Sequence, residues 1–133
     1  IRDSHSNHRS IYLCLLRHAP PPELAAFDLP DGLSVTSRRD ETISPTQSLF
    51  LLNNEFVIAQ SRALADQGLA TQHADDAQRI RLLFRKMLQR NPRDSELAGA
   101  LRLLTTSSFA SRQDAWASLT QALFATYEFR YID

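Results

Sequence analysis

The 133-residue chain contains one cysteine, three glycines and no excess of either charge. Each scarcity excludes something. With Cys14 alone, neither an internal disulfide nor a multi-cysteine metal site can form, and a haem attachment motif, which needs two cysteines before a histidine, is missing. The glycines stand apart at 32, 68 and 99, so there is no glycine-rich phosphate loop. Nor is there a G-x-S-x-G nucleophile turn. Fifteen basic residues balance fifteen acidic ones, which argues against the basic footprint of a nucleic-acid binder. No apolar run approaches the roughly 20 residues of a membrane-spanning helix. The longest runs, such as Ile11–Leu16 and Leu49–Leu52, are far shorter, and no small-residue cleavage pattern follows the first of these.

What is present is helical punctuation. Residues 1–8 read as a polar tail, and residues 9–133 as one helical domain. Arg9–His18 suggests a short helix stopped by Pro20, Pro21 and Pro22, where Cys14 sits as a small buried hydrophobe. A long irregular connection follows to Ile43, pinned by Phe27 and Leu29. Ser44-Pro45-Thr46-Gln47 then opens a helix as a capping box with proline at the first helical position. Its run Leu49–Leu52 is apolar all round, which predicts burial on more than one side. Asn54 caps the next helix, with Gly68 expected to end it in the left-handed conformation.

Asp75 opens a third helix with the stripe Ile80, Leu83, Phe84, Met87 and Leu88, ended by Asn91-Pro92. A fourth starts near Asp94 with Leu97, Ala100, Leu101 and Leu104 inward. Ser111 caps a fifth with the stripe Trp116, Leu119, Leu123 and Tyr127. The fold class is therefore all-α, an array of about five to six short helices with short loops between antiparallel neighbours.

Chemistry-bearing groups are sparse. His5 and His8 form H-x-x-H, but a firm metal site needs further ligands and only Asp3 is near in sequence. The pairs Asp40-Glu41 and Asp75-Asp76 fall at turns and helix starts, where capping accounts for them. The series Arg79, Arg81, Arg85, Lys86, Arg90 and Arg93 flanks an apolar stripe and reads as a solvated face. Arg38-Arg39, just before a helix start, admits two readings. Two guanidiniums there can hold an anion or a partner, or can lock the long loop onto the helices through acidic neighbours. No catalytic residue, metal ligand or cofactor site is assigned.

The pattern R-R-x-x-T-x-x-P-x-Q-x-x-x-L-L-N over Arg38–Asn53 carries a resemblance. With it go Arg9-Ser10-Ile11-Tyr12, Pro20–Asp28, Phe56-Val57, Ala63-Leu64-Ala65, Arg79-Ile80, Arg90-Asn91-Pro92 and Glu96-Leu97. Trp116, Ala122-Leu123, Glu128-Phe129 and Tyr131-Ile132-Asp133 complete it. The chain resembles the C-terminal part of the planctomycete-specific domain of unknown function, which ends large multidomain proteins that often carry a cytochrome-c-like domain. It departs from that family at Asn91-Pro92-Arg93, Ala125 and Tyr127.

The resemblance implies a helical piece of a longer, exported or cell-envelope protein, consistent with a chain that opens on Ile1, and no established catalytic residues. Two functions are expected from it. One is a non-catalytic interaction or scaffold module that docks on the upstream part of its own protein or on a protein partner. Its contacts would be Phe27, Tyr127, Phe129 and Tyr131, with the Arg38-Arg39 turn. The alternative is an accessory anion-binding part of an enzyme acting on acidic or sulfated polysaccharide, completed by sequence outside this chain. Neither requires nucleic acid or a membrane span.

Overall fold

The computed structural model describes residue 12, residues 24, 26 and 27, and residues 45–70, 75–106 and 108–130. The chain divides into two compact units, Ile1–Gln47 and Ser48–Asp133. In the first, Tyr12 is 3-10 helical and exposed, and the Phe27 N–H donates to the Leu24 carbonyl across a turn. The expected Arg9–His18 helix, apart from Tyr12, lies outside the described residues, as do Ser44, His5, His8, Cys14, Leu29, Arg38 and Arg39.

Among the described residues six helices follow: α1 Pro45–Asn53, α2 Glu55–Leu69, α3 Asp76–Leu88, α4 Asp94–Thr105, α5 Arg112–Phe124 and α6 Tyr127–Arg130. No strand occurs among the described residues. The all-α expectation holds.

Three starts, those of α2, α3 and α5, have the physical cause read from the sequence. The Asn54 carboxamide oxygen accepts from the N–H groups of Phe56 and Val57. Asp75 accepts from Gln78 N–H, and the Ser111 hydroxyl accepts from Asp114 N–H. These bonds satisfy donors that the first helical turn leaves without an intrahelical partner. At α4 the cap residue is Arg93, whose side chain has no acceptor. Only the reverse half of a capping box forms there, the Glu96 carboxylate reaching back to Arg93 N–H at 2.7 Å.

Helix ends depart from expectation twice. Gly68 lies inside α2, which continues to Leu69 and is capped by Ala70 in ordinary right-handed geometry. The left-handed cap occurs instead at Gln89, with φ 56°, at the end of α3. The short Gln89–Arg93 link must turn the chain from α3 into α4 at once, so it takes the strained conformation.

The core gathers Ala65 from α2, Ile80, Leu83 and Phe84 from α3, Ala100 from α4, and Trp116, Leu119 and Leu123 from α5. α5 is the central element and packs most extensively against α2. The buried residues of α2 are Val57, Ser61 and Ala65, four apart. Such small side chains allow close approach of a neighbouring helix. Two hydroxyls go into the interior: Ser61 donates to the Val57 carbonyl at 2.8 Å and Thr120 to the Trp116 carbonyl at 2.9 Å. Each is satisfied within its own helix, which removes the penalty of an unpaired buried polar group. On the other side of the ledger, Trp116 Nε1 is buried with no hydrogen-bond partner.

Two expected core assignments fail. In α1, Leu51 is buried, but Leu49 and Leu52 are half or more exposed, so the apolar run does not bury all its faces. Tyr127 is 52% exposed and belongs to α6, because α5 ends at Phe124 and Ala125 caps it.

Candidate functional site

The densest polar arrangement among the described residues is built at the corner between α3 and α4. Gln89 reverses the chain, and Arg90 follows with its guanidinium half-buried. Its Nη1 and Nη2 donate to the two oxygens of Glu96, each at 2.8 Å. Its Nε and Nη2 donate to the two oxygens of Glu128 at 2.6 and 2.7 Å. Nη1 also donates to the Asn91 carbonyl at 2.9 Å. A guanidinium has five N–H donors in a fixed planar fork, and these bonds use all of them.

Two more interactions hold the corner. Arg85 Nε donates to the Asn91 side-chain oxygen at 2.7 Å, and the Arg90 guanidinium carbon lies 5.6 Å from the centroid of the Phe84 ring. The arrangement thus ties α3 to the first turn of α4 and to α6.

The electrostatics follow from this geometry. Bidentate hydrogen bonding from Arg90 overcomes the desolvation of Glu96 and lowers its pKa to about 2, helped by the Arg93 N–H. Glu128 is lowered for the same first reason, its bond to Arg90, against desolvation and the nearby Glu96 charge. Arg90 is raised further above its already high value by the two carboxylates, Glu96 first. All three groups remain charged at neutral pH. Neither carboxylate is poised as a general acid or base, and Arg90 offers no N–H to an incoming anion. Of the basic series expected to be a solvated face, two members are corrections: the Arg79 side chain is only 16% exposed, and Arg90 is internal to a clamp.

Four further ion or polar pairs join elements elsewhere. Arg112 bonds Asp76 at 2.5 Å, linking α5 to α3, and Asp76 also accepts from Arg79 at 3.4 Å. Gln113 donates to Asp66, and Lys86 donates to Gln67 at 2.6 Å. Gln121 donates to the Leu51 and Leu52 carbonyls at the end of α1. That last contact closes the C-terminus of α1, whose final carbonyls have no intrahelical donor.

Two hollows border Trp116. One, of about 350 Å³, is rimmed by Asp76, Thr106, Phe109, Ser111 and Arg112. The other, of about 110 Å³, lies among Leu64, Gln67, Gly68, Leu82 and Lys86. Trp116 Nε1 is sealed from both; on the wider rim the Ser111 hydroxyl donates to the Asp114 carboxylate at 2.7 Å, within the cap of its own helix. No group of three or more His, Cys, Asp or Glu among the described residues could hold a metal ion. Among the described residues no helix is long and apolar enough to cross a membrane.

The surface is the more informative part. Leu49 and Leu52 share one face of α1 and are 57% and 50% exposed, while Phe56, at the start of α2, is 68% exposed. Of the contact residues expected from sequence, Tyr127 is exposed and Phe129 is partly so, its ring edge-on to Phe124 with centroids 4.9 Å apart. Phe27 is half-buried in its turn, and Arg38, Arg39 and Tyr131 lie outside the described residues. Sequence reasoning missed the exposure of Leu49, Leu52 and Phe56 because an uninterrupted apolar run does not say which side is covered. It also missed the clamp, although Arg90, Asn91, Glu96 and Glu128 all belong to the motifs that carry the resemblance.

A family model described as PSD1, a protein of unknown function (DUF1553), matches residues 2–104. The matched range ends within α4, so Trp116, Glu128 and the other C-terminal motif pieces lie beyond it. No curated protein and no solved structure matches the chain.

Proposed function

This chain belongs to the PSD1 family of proteins of unknown function (DUF1553), and we propose that it is a non-catalytic helical interaction module of a larger exported or cell-envelope protein. Its occupant is an apolar protein surface, supplied by the upstream part of the parent protein. The observation that carries this reading is the exposure of Leu49 and Leu52 on α1 and of Phe56 on the capped helix α2. Large apolar side chains left exposed on formed helices are the kind of surface that buries itself against a partner. Asn53, Asn54 and Glu55 interleave with them, which suits a protein interface with a polar rim better than an acyl-chain contact.

The polar groups support the same reading from the opposite direction. The strongest charge cluster, Arg90 with Glu96 and Glu128, is saturated by its own hydrogen bonds and serves to join helices.

The test is titration calorimetry of the chain against the purified upstream part of the parent. Leu52→Glu combined with Phe56→Glu is the comparison variant. Wild type is expected to bind, and the double variant to bind at least about tenfold more weakly, since two apolar anchors each contribute on the order of 1 kcal/mol or more. Both side chains are exposed, so the variant's melting curve should match wild type within about 0.5 kcal/mol. Absence of binding by wild type, or equal binding by the variant, would remove the proposal.

A further inference from the structure

We infer that the C-terminal turn α6 is a latch, fastened to the corner between α3 and α4 by the Glu128 carboxylate on Arg90 and releasable without unfolding the core. The inference concerns different residues from the proposed docking face and does not depend on it.

Three observations lead to it. First, α6 is a single turn, Tyr127–Arg130, with no buried residue. One turn cannot sustain itself, because helix nucleation is unfavourable until several hydrogen bonds have formed. Something outside the turn must hold it.

Second, the tie to Arg90 reaches across thirty-eight positions and is bidentate, at 2.6 and 2.7 Å. The same guanidinium is oriented independently by Glu96 and the Asn91 carbonyl. The receiving half of the fastener is therefore pre-formed on α3 and α4, whether or not α6 is in place. A donor already held in position loses little entropy when its partner arrives.

Third, the interior is closed by other means. Phe84, Leu119 and Leu123 belong to the core cluster, which α6 does not enter. One apolar attachment of α6 is the edge-on contact of Phe129 with Phe124, and the turn also lies against α3 and α5. Opening the turn would separate those rings and free one face of Phe124, while α2–α5 keep their mutual packing.

The charges that act on Glu128 are those of Arg90, Arg93 and Glu96 from the α3–α4 corner; Arg130 lies on its own turn. Two cations favour the charged carboxylate and one anion opposes it. Protonating Glu128 removes the attraction, so acid opens the latch, and high salt weakens this partly exposed pair.

The experiment is ¹⁵N relaxation of the complete chain, wild type against Glu128→Gln, with Glu128→Ala as a second variant and wild type in 1 M salt as a third condition. Backbone order parameters at residues 126–130 are expected to fall from about 0.85 to below about 0.6, while those of α3 and α5 stay near the rigid value. The ring-current shifts between Phe124 and Phe129 should collapse in step. If both variants leave residues 126–130 rigid, the fastener is not Glu128 and the inference fails. If the loss of order spreads through α3–α5, the pair is part of the global fold and there is no separable latch.

Discussion

Arg90 has a role that its type alone does not assign. In sequence it is one of a basic series, and an arginine before Asn-Pro has no evident partner. In the fold its donors are divided between two carboxylates and one carbonyl, Glu96 from the next helix and Glu128 from the chain's far end. Shape matters here as much as charge, because both carboxylates are engaged bidentately. Lysine would keep the charge but cannot present two parallel donors to each of two carboxylates. Arg90→Lys is accordingly expected to lower stability by about 1–2 kcal/mol, read as a shift of the urea midpoint at constant slope. The neighbouring Arg85 is exposed and bonded to one neutral oxygen, so the same replacement there should move the midpoint far less.

Helix boundaries were legible where a polar side chain does the terminating. Asn54, Asp75 and Ser111 each cap as their position implied, since a short acceptor side chain ahead of an apolar period has a local structural reason. Asn54→Ala should remove the acceptor for two backbone N–H groups in the first turn of α2 and cost about 1 kcal/mol by thermal or chemical denaturation. Boundaries were illegible where tertiary packing sets them. Gly68 signals a helix end, yet α2 runs past it, with open space around the position a Cβ would occupy. Gln89 carries no such signal and adopts the left-handed conformation because α4 must start five residues later. Gln89→Gly should therefore raise stability by about 0.5–1 kcal/mol, the relief of a left-handed side chain exceeding the added freedom of the unfolded chain. A decrease would show that the Gln89 side chain contributes more than its long bond to the Lys86 carbonyl suggests.

For the molecule as a whole, the clamp links pH to stability. Glu96 and Glu128 both have pKa values below the ordinary 4.5, Glu96 near 2. A lowered carboxylate pKa means that the unfolded chain binds the proton more readily. The associated stability is complete above about 4.5 and is lost as pH falls toward 2. The single tryptophan, Trp116, is buried at the centre of α5 and should report unfolding by its fluorescence. The expected result is a urea midpoint that is flat from pH 7 to 5 and declines below, with Glu96→Gln declining less because its carboxyl no longer titrates. Equal slopes would mean that other carboxylates carry the acid sensitivity. The order of the helices, three of their caps and the α3 stripe were determined by the sequence itself, because periodicity and capping act over a few neighbouring residues. Which face of Leu49–Leu52 meets solvent, where α2 stops, and that Arg90 and Glu128 meet were decided only by the tertiary structure. Those outcomes depend on groups far apart in the chain, brought together by helices packing on α5, and no local pattern specifies them.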